Sequence, residues 1–286
     1  MRIGLFPNTG KPGVEKVLAQ IIAHLKEKKI EFFLPEESAD RLGMAEYAGS
    51  WADIKQAIGI GITLGGDGTI LHVARDLAAV GIPVCGINMG HLGFLTTIEL
   101  SETLAALDRI LQGDYWIEER LMLEASVLSD GKIRQVTTAL NDVVITHGRI
   151  SRLIRLNVAI NHELVARYPA DGLIIATPTG STGYSLSAGG PIVNSGLEAI
   201  LITPICPHTL YSRSLLITAD ETVQVDMAPS QHDITLTIDG QLACELWPED
   251  VITVGKSPFK AKFVRFNDRS FYQTLQRKLR RGDIEG

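Results

Sequence analysis

The first hundred residues alternate between short apolar runs and stretches whose apolar positions recur at helical spacing: Ile3–Phe6, Val14–Lys28, Glu31–Leu34, Ile58–Leu64, Thr69–Val80 and Pro83–Ile87. The second and fifth segments read as amphipathic helices, the others as buried strands. Such alternation predicts a mostly parallel sheet covered by helices, with ligands gathering beyond the carboxyl ends of its strands. A further helix is predicted near Ser101–Gln112. From about Leu121 the period changes to two, and Leu123–Leu128, Ile133–Thr138, Leu153–Ile160, Val223–Asp226, Ile234–Ile238 and Lys260–Phe266 read as β-strands. The pairs Asp130-Gly131, Asn161-His162 and Asp239-Gly240 suit the tight turns of hairpins. Helical spacing returns over Ser270–Arg281. The pattern as a whole predicts a Rossmann-like α/β domain over residues 1–100 and a mostly antiparallel, sandwich-like β domain over 101–266. The helix within 267–286 is expected to pack back on the first domain.

Composition narrows the function classes. A chain of 286 residues that is 45% hydrophobic and 21% charged can bury a sizeable core and is not disordered. No segment approaches the roughly 18 uninterrupted apolar residues of a membrane-spanning helix. The start, Met1–Pro7, has too short an apolar stretch for a signal peptide and reads as a first strand, which points to the cytoplasm. A net charge of -6 argues against a nucleic-acid partner, and the basic run Arg277–Arg281 reads as a solvated helix face. Cys85, Cys206 and Cys244 are too few and too widely spaced for a disulfide framework or a zinc knuckle, and their apolar neighbours suggest core packing.

The chemistry concentrates in three stretches. Gly65-Gly66-Asp67-Gly68-Thr69 joins a predicted strand to a predicted helix. Glycines there let main-chain N–H groups approach a phosphate, and the helix N-terminus adds a favourable partial charge. Asp67 in such a loop suits holding a divalent cation or accepting a proton from an attacking hydroxyl, although an Asp-Gly turn with a helix cap uses the same residues. The loop Asn88–Phe94 also leaves a strand end and is expected to face the same crevice. His72, one turn after Asp67, either lines that pocket or packs. In the second stretch, Asp171–Pro191, a strand runs into a hydroxyl- and glycine-rich loop in which Tyr184 offers a face for stacking on a base. A nucleotide fits this loop better than a flexible linker does. The third, Asn141-Asp142, can read a base edge and ribose hydroxyls, or simply start a turn. Other motifs fail: Gly255-Lys256-Ser257 lacks the first glycine of a Walker A loop, no G-x-G-x-x-G occurs, and the histidines show no metal-ligand spacing.

Taken in chain order, Gly65–Thr69, Asn88–Phe94, Asn141-Asp142 and Asp171–Pro191 resemble the NAD kinases, and the resemblance extends through Pro204–Leu210 and Ile238–Gln241. The GGDGT motif alone is shared with diacylglycerol and sphingosine kinases, whereas the long Asp171–Pro191 block separates the NAD kinases from them. The resemblance implies a phosphoryl transfer from ATP, or inorganic polyphosphate, to the 2′-hydroxyl of the adenosine ribose of NAD, with a divalent cation, usually magnesium. It implies Asp67 as general base, with Gly65, Gly66, Gly68 and Thr69 forming the loop against the substrate. Asn141 and Asp142 match the pair that holds adenine and ribose. Asp171, Thr182, Gly183, Tyr184 and Ser187 match segments around the dinucleotide, Phe94 resembles a ring-contacting residue, and His72, Arg152 and Gln241 fall at positions that often line the site. No fixed protein site for the metal is implied. The family forms homodimers or homotetramers in which a neighbouring subunit completes the dinucleotide site. The alternatives are a lipid or sphingoid-base kinase and a non-catalytic NAD sensor. Three positions depart from the family pattern: Asp142 where many members have glutamate, Gly183 where alanine is common, and Pro169 where many carry a basic residue.

Overall fold

Each N-terminal helix buries one apolar stripe. In the helix Val14–Glu27 the buried residues are Val14, Leu18, Ile21, Ile22 and Leu25, the spacing that places them on one face. The computed structural model describes residues 1–90, 93–148, 153–209, 212–228, 233–266 and 270–282. The chain divides into two units, Met1–Glu119 with Ala261–Gly286, and Arg120–Lys260.

The first unit begins with β1 (Ile3–Pro7), α1 (Val14–Glu27), β2 (Phe32–Pro35), α2 (Glu36–Leu42), β3 (Ala48–Gly49), α3 (Trp51–Ala57) and β4 (Ile60–Gly65). It continues with α4 (Asp67–Ala78), β5 (Val84–Asn88) and α5 (Thr103–Gln112). The strands pair in parallel in the order β3-β2-β1-β4-β5, as the βαβ alternation predicts. All six residues of β4 are buried, because β1 and β5 flank it and helices cover the sheet. The apolar face of α5 joins the same core as α1, through Ala106, Leu107 and Ile110. Helix α4 starts at Asp67, two residues before the apolar periodicity signals it, because Gly66 serves as its N-cap.

The second unit contains β6 (Trp116–Ser129), which begins just before it, then β7 (Lys132–Ala139), β8 (Asp142–His147), β9 (Ile154–Ile160), β10 (Glu163–Ala170) and β11 (Gly172–Ala176). It goes on with α6 (Tyr184–Ser187), β12 (Ala199–Ile205), β13 (Leu215–Thr218), β14 (Val223–Met227), β15 (Ile234–Ile238) and β16 (Leu242–Leu246). Strand β17 (Val251–Arg265) leaves this unit, and its last residues return to the first one, followed by α7 (Phe271–Gly282). One sheet runs β13-β12-β11-β8-β15-β16, antiparallel throughout. A second antiparallel set runs β10-β9-β14-β17. Their apolar sides share one core that includes Val143, Ile145, Leu173, Val158 and Val225. All three predicted hairpin turns form, and each of the residues Asp130-Gly131, Asn161-His162 and Asp239-Gly240 has a positive φ.

Two expectations are corrected. Cys85 is fully buried and Cys244, half-buried on β16 at the edge of its sheet, packs against the core, whereas Cys206 lies exposed just after β12 and does not serve core packing. The basic tail is not merely solvated: Arg277 pairs with Glu99 at 2.9 Å, and the Lys278 ammonium sits 5.5 Å from the Phe94 ring centre.

Phe263, in the last part of β17, is fully buried and pairs in register with Val84 of β5. Phe263→Ala is expected to destabilise the protein by about 3–5 kcal/mol, read as a lowered urea midpoint by circular dichroism.

Candidate functional site

The glycines of the GGDGT loop fall into two kinds. A Cβ at Gly65 would overlap the Thr69 side chain, so the loop's own packing demands glycine there. At Gly66 and Gly68 an added Cβ would meet nothing within 4 Å. Neither of these two has the positive φ that would itself call for glycine. Small residues that the protein's packing does not require leave the main chain open to a ligand. The following helix α4 points its N-terminus at this surface.

Asp67 is the first residue of that helix, and its carboxylate organises the loop that follows β5. Oδ2 accepts the Phe94 N–H at 2.7 Å, while Oδ1 accepts the Leu95 N–H at 3.2 Å, the Thr96 N–H at 3.1 Å and the Thr96 hydroxyl at 3.1 Å. Gly93 lies so close that a Cβ there would overlap the carboxylate. Oδ1 is saturated by three donors, whereas Oδ2 takes one and keeps an acceptor direction for a further hydroxyl. His91 and Leu92 of the predicted loop, and the candidate Arg152, lie outside the described residues. Phe94 is half-buried beside Lys278.

His72 shares no hydrogen bond with Asp67. Its ring meets Trp51 edge-on at 6.3 Å, and Nδ1 lies 3.3 Å from Arg75 Nη2. Trp51 in turn stacks on Phe6 at 5.2 Å. These three side chains and Thr69 line a cavity of about 320 Å³ beside α4. The Thr69 hydroxyl is fixed by the Asn8 amide at 3.2 Å.

In the second unit the main chain at Leu140-Asn141-Asp142 is gripped from two sides. Asp239, in the β15–β16 turn, accepts the Asn141 N–H at 2.7 Å and the Asp142 N–H at 3.1 Å on Oδ1, and the Leu140 N–H at 3.1 Å on Oδ2. Thr177 donates its hydroxyl to the Leu140 carbonyl at 2.6 Å and its N–H to the Asn141 carbonyl at 2.8 Å. A Cβ at Gly180 would overlap the Asn141 carbonyl, so the hydroxyl-rich loop can lie against this segment only with glycine there. The Asn141 amide nitrogen is 3.8 Å from the Cβ position of Gly183. Arg120 holds the same loop through Thr179 at 3.2 Å.

The hydroxyls of this loop divide by role. Ser181 and Ser185 are fully buried and bond to the Pro178 and Val193 carbonyls and to Thr203. Thr182 bonds back to the Thr179 carbonyl at 3.3 Å, while Tyr184 and Ser187 are exposed and face solvent beside Gly183. Gln241 is exposed in the same turn as Asp239. Asp171 is not brought together with these residues. It precedes β11, whereas Asn141, Thr177 and Gly180 gather at the other end of that strand. Five residues of strand separate the two ends by roughly 17 Å. The organising residues Asp239, Thr177, Thr96 and Arg120 were not singled out from the sequence, where a turn Asp and a loop Thr carry no mark of the amides they bind.

Burial, and then the charge of Asp239, push the Asp142 carboxyl up to about 7. The folded protein therefore holds this proton more tightly than the unfolded chain does. Stability falls as pH rises from the unfolded value near 4 and has lost this contribution above about 7. Asp142→Asn removes the ionisation, so it should be more stable than the parent at pH 8 by on the order of 1–3 kcal/mol, with the difference vanishing near pH 4. Thermal melts across that range check the sign.

Family models described as the ATP-NAD kinase N-terminal and C-terminal domains match residues 3–115 and 140–266. The chain is 46% identical to the NAD kinase of Natranaerobius thermophilus over 281 residues, covering 98% of each. It is 43% identical to the NAD kinase of Moorella thermoacetica, covering 98% of this chain and 90% of that one. Among solved structures, yeast NADH kinase complexed with NADH matches with a TM-score of 0.88 at 28% identity, over 96% of this chain and 85% of that one. An NAD kinase from Archaeoglobus fulgidus in complex with ATP matches with a TM-score of 0.79 at 25% identity, over 98% and 99%. With both halves matched by their domain models and nearly the whole length shared with curated relatives, this chain belongs to the NAD kinase family.

Proposed function

We propose that the protein transfers the terminal phosphoryl group of ATP to the 2′-hydroxyl of the adenosine ribose of NAD, giving NADP and ADP, with inorganic polyphosphate as a second donor. The observation that carries this is the open main chain at Gly66 and Gly68 on either side of an aspartate that keeps one acceptor direction. The first unit is read as the phosphoryl-transfer domain and the second as the dinucleotide-binding domain. The names and bound nucleotides of the solved relatives support a dinucleotide and ATP as the substrates. The donor phosphates lie along Gly65–Gly68 in this reading, and the donor base enters the cavity beside Trp51 and His72. Asn141 reads the adenine, Asp142 takes a ribose hydroxyl, and Tyr184 packs on a ring.

Asp67 Oδ2 receives the hydroxyl proton. A carboxylate is a weak base for an alcohol, so the proton moves late, as the new P–O bond forms. Positioning supplies most of the remaining acceleration, and the Asp67 contacts to residues 94–96 keep the base from rotating away. The reaction uses a divalent cation, which we assign as magnesium carried on the donor phosphates. Among the described residues no three His, Cys, Asp or Glu side chains form a cradle for it. No step is derived through the cation. The free cysteines suit a reducing cytoplasm, and among the described residues no helix is long and apolar enough to cross a membrane.

Asp171 stands at the wrong end of β11 to join the Asn141 cluster of its own chain. We assign it to the dinucleotide of a second copy, in a homodimer or homotetramer.

Gly68→Ala should fold with an unchanged melting temperature, since its Cβ meets open space, yet lose at least about tenfold in kcat with ATP. Equal loss of stability and activity would make the glycine structural. With NAD, magnesium and either donor, the parent protein is expected to form NADP, and Asp67→Asn to lose about 10²–10⁴-fold in turnover while still binding NAD by calorimetry. Near-parental turnover in that variant would remove Asp67 as base. Mixing Asp67→Asn subunits with Asp171→Ala subunits should restore part of the activity that each lacks alone, and no restoration would return Asp171 to its own chain.

A further inference from the structure

Behind the Asp67 loop, the first unit holds a cavity of about 180 Å³ whose lining includes Thr97, Ala105, Ala106, Arg109, Arg265 and Phe266. None of these residues has a part in the phosphoryl transfer described above. Arg265 is only 7% exposed. Its Nε donates to Glu118 at 2.7 Å and its Nη1 to the Leu95 carbonyl at 2.9 Å, while the buried Nη2 has no hydrogen-bond partner among the described residues. A buried guanidinium N–H left over in this way calls for an acceptor oxygen. Phe266 contributes an aromatic wall, with the Arg109 guanidinium 4.4 Å from its ring centre. Arg109 is itself paired with Asp114 at 2.7 Å, and Glu118 neutralises Arg265. Glu102 adds a carboxylate to the lining, which with the paired Arg109 and Arg265 leaves no large net charge, and the cavity offers the Arg265 Nη2 donor beside its apolar walls.

We infer that this cavity binds a small planar molecule carrying a carbonyl-type acceptor, a carboxamide or a carboxylate on a compact apolar ring, and that its occupancy is transmitted to Asp67. The volume suits one substituted six-membered ring, since an apolar cavity of about 150 Å³ accommodates benzene. The transmission is a short chain of bonds. Leu95 accepts from Arg265 through its carbonyl and donates to Asp67 Oδ1 through its N–H. Thr96 adds two more bonds to the same oxygen, and the next residue, Thr97, lines the cavity. The guanidinium is one rigid plane, so a ligand that turns Nη2 also moves the nitrogen that holds Leu95. The binding claim is independent of the kinase reading, whereas the effect on turnover rests on it.

Benzamide and benzoate, a neutral and an anionic probe of the same shape, test the inference by calorimetric titration of the full-length protein and by rates of NADP formation. Saturable binding of at least one probe is expected, with a Kd on the order of 1 mM for so small a ligand. Ala105→Trp, which crowds the cavity from α5 and alters no charged group, should weaken it at least about tenfold, as should Arg265→Lys if that variant folds. Saturating probe should change turnover at least about twofold in the parent and not in Ala105→Trp. No saturable binding of either probe up to about 20 mM, or binding that Ala105→Trp leaves intact, overturns the site. Binding that the block removes, with turnover unchanged, overturns the transmission. If the parent makes no NADP, the kinase reading falls while the titration still decides the cavity.

Discussion

A carboxylate that gathers consecutive main-chain N–H groups is the interaction on which both halves of this protein rest. Asp67 takes the N–H groups of residues 94, 95 and 96, and Asp239 takes those of 140, 141 and 142. Loops of irregular backbone have no ladder to satisfy their amides, and an unpaired buried amide is costly. A charged acceptor makes bonds roughly twice as strong as neutral ones, and one side chain meets three amides at once. Each unit thereby turns a loop into a fixed surface without adding secondary structure.

The same arrangement accounts for the distribution of glycine. Gly93 admits the Asp67 carboxylate and Gly180 admits the Asn141 carbonyl, so at both positions a Cβ would displace the interaction that shapes the loop. Gly66 and Gly68 do no such work inside the chain. A motif that looks uniform in one-letter code therefore contains a packing glycine, Gly65, beside two whose smallness the chain's own packing does not require.

Placing Asp142 beside Asp239 in a buried corner has a consequence at neutral pH. Two carboxylates compete for few compensating donors, and the one whose oxygens do not collect amides keeps its proton more readily. A ribose, whose hydroxyls both donate and accept, can pair with either protonation state.

The alternation of apolar runs with helical spacing determined strands β1, β2, β4 and β5 of the parallel sheet, and the period-2 segments with their Asp-Gly and Asn-His turns determined the antiparallel character of the second unit, because burial of one face leaves that periodicity in the chain. The candidate site was legible where unusual residues are dense: the glycines around Asp67 and the hydroxyl-rich run after Ala176. Strands such as β10, β13 and β16 were not, since their exposed positions blur the alternation. What only the tertiary structure decided was partnership. It tied Asp67 to Thr96 and Asp239 to Asn141, put Asp171 at the far end of β11, and set Arg265, whose Nη2 has no partner among the described residues, in the lining of a cavity. Those relations join residues distant in sequence through main-chain amides, and a main-chain amide is the same at every position except proline, so the sequence carries no sign of which one a side chain will find.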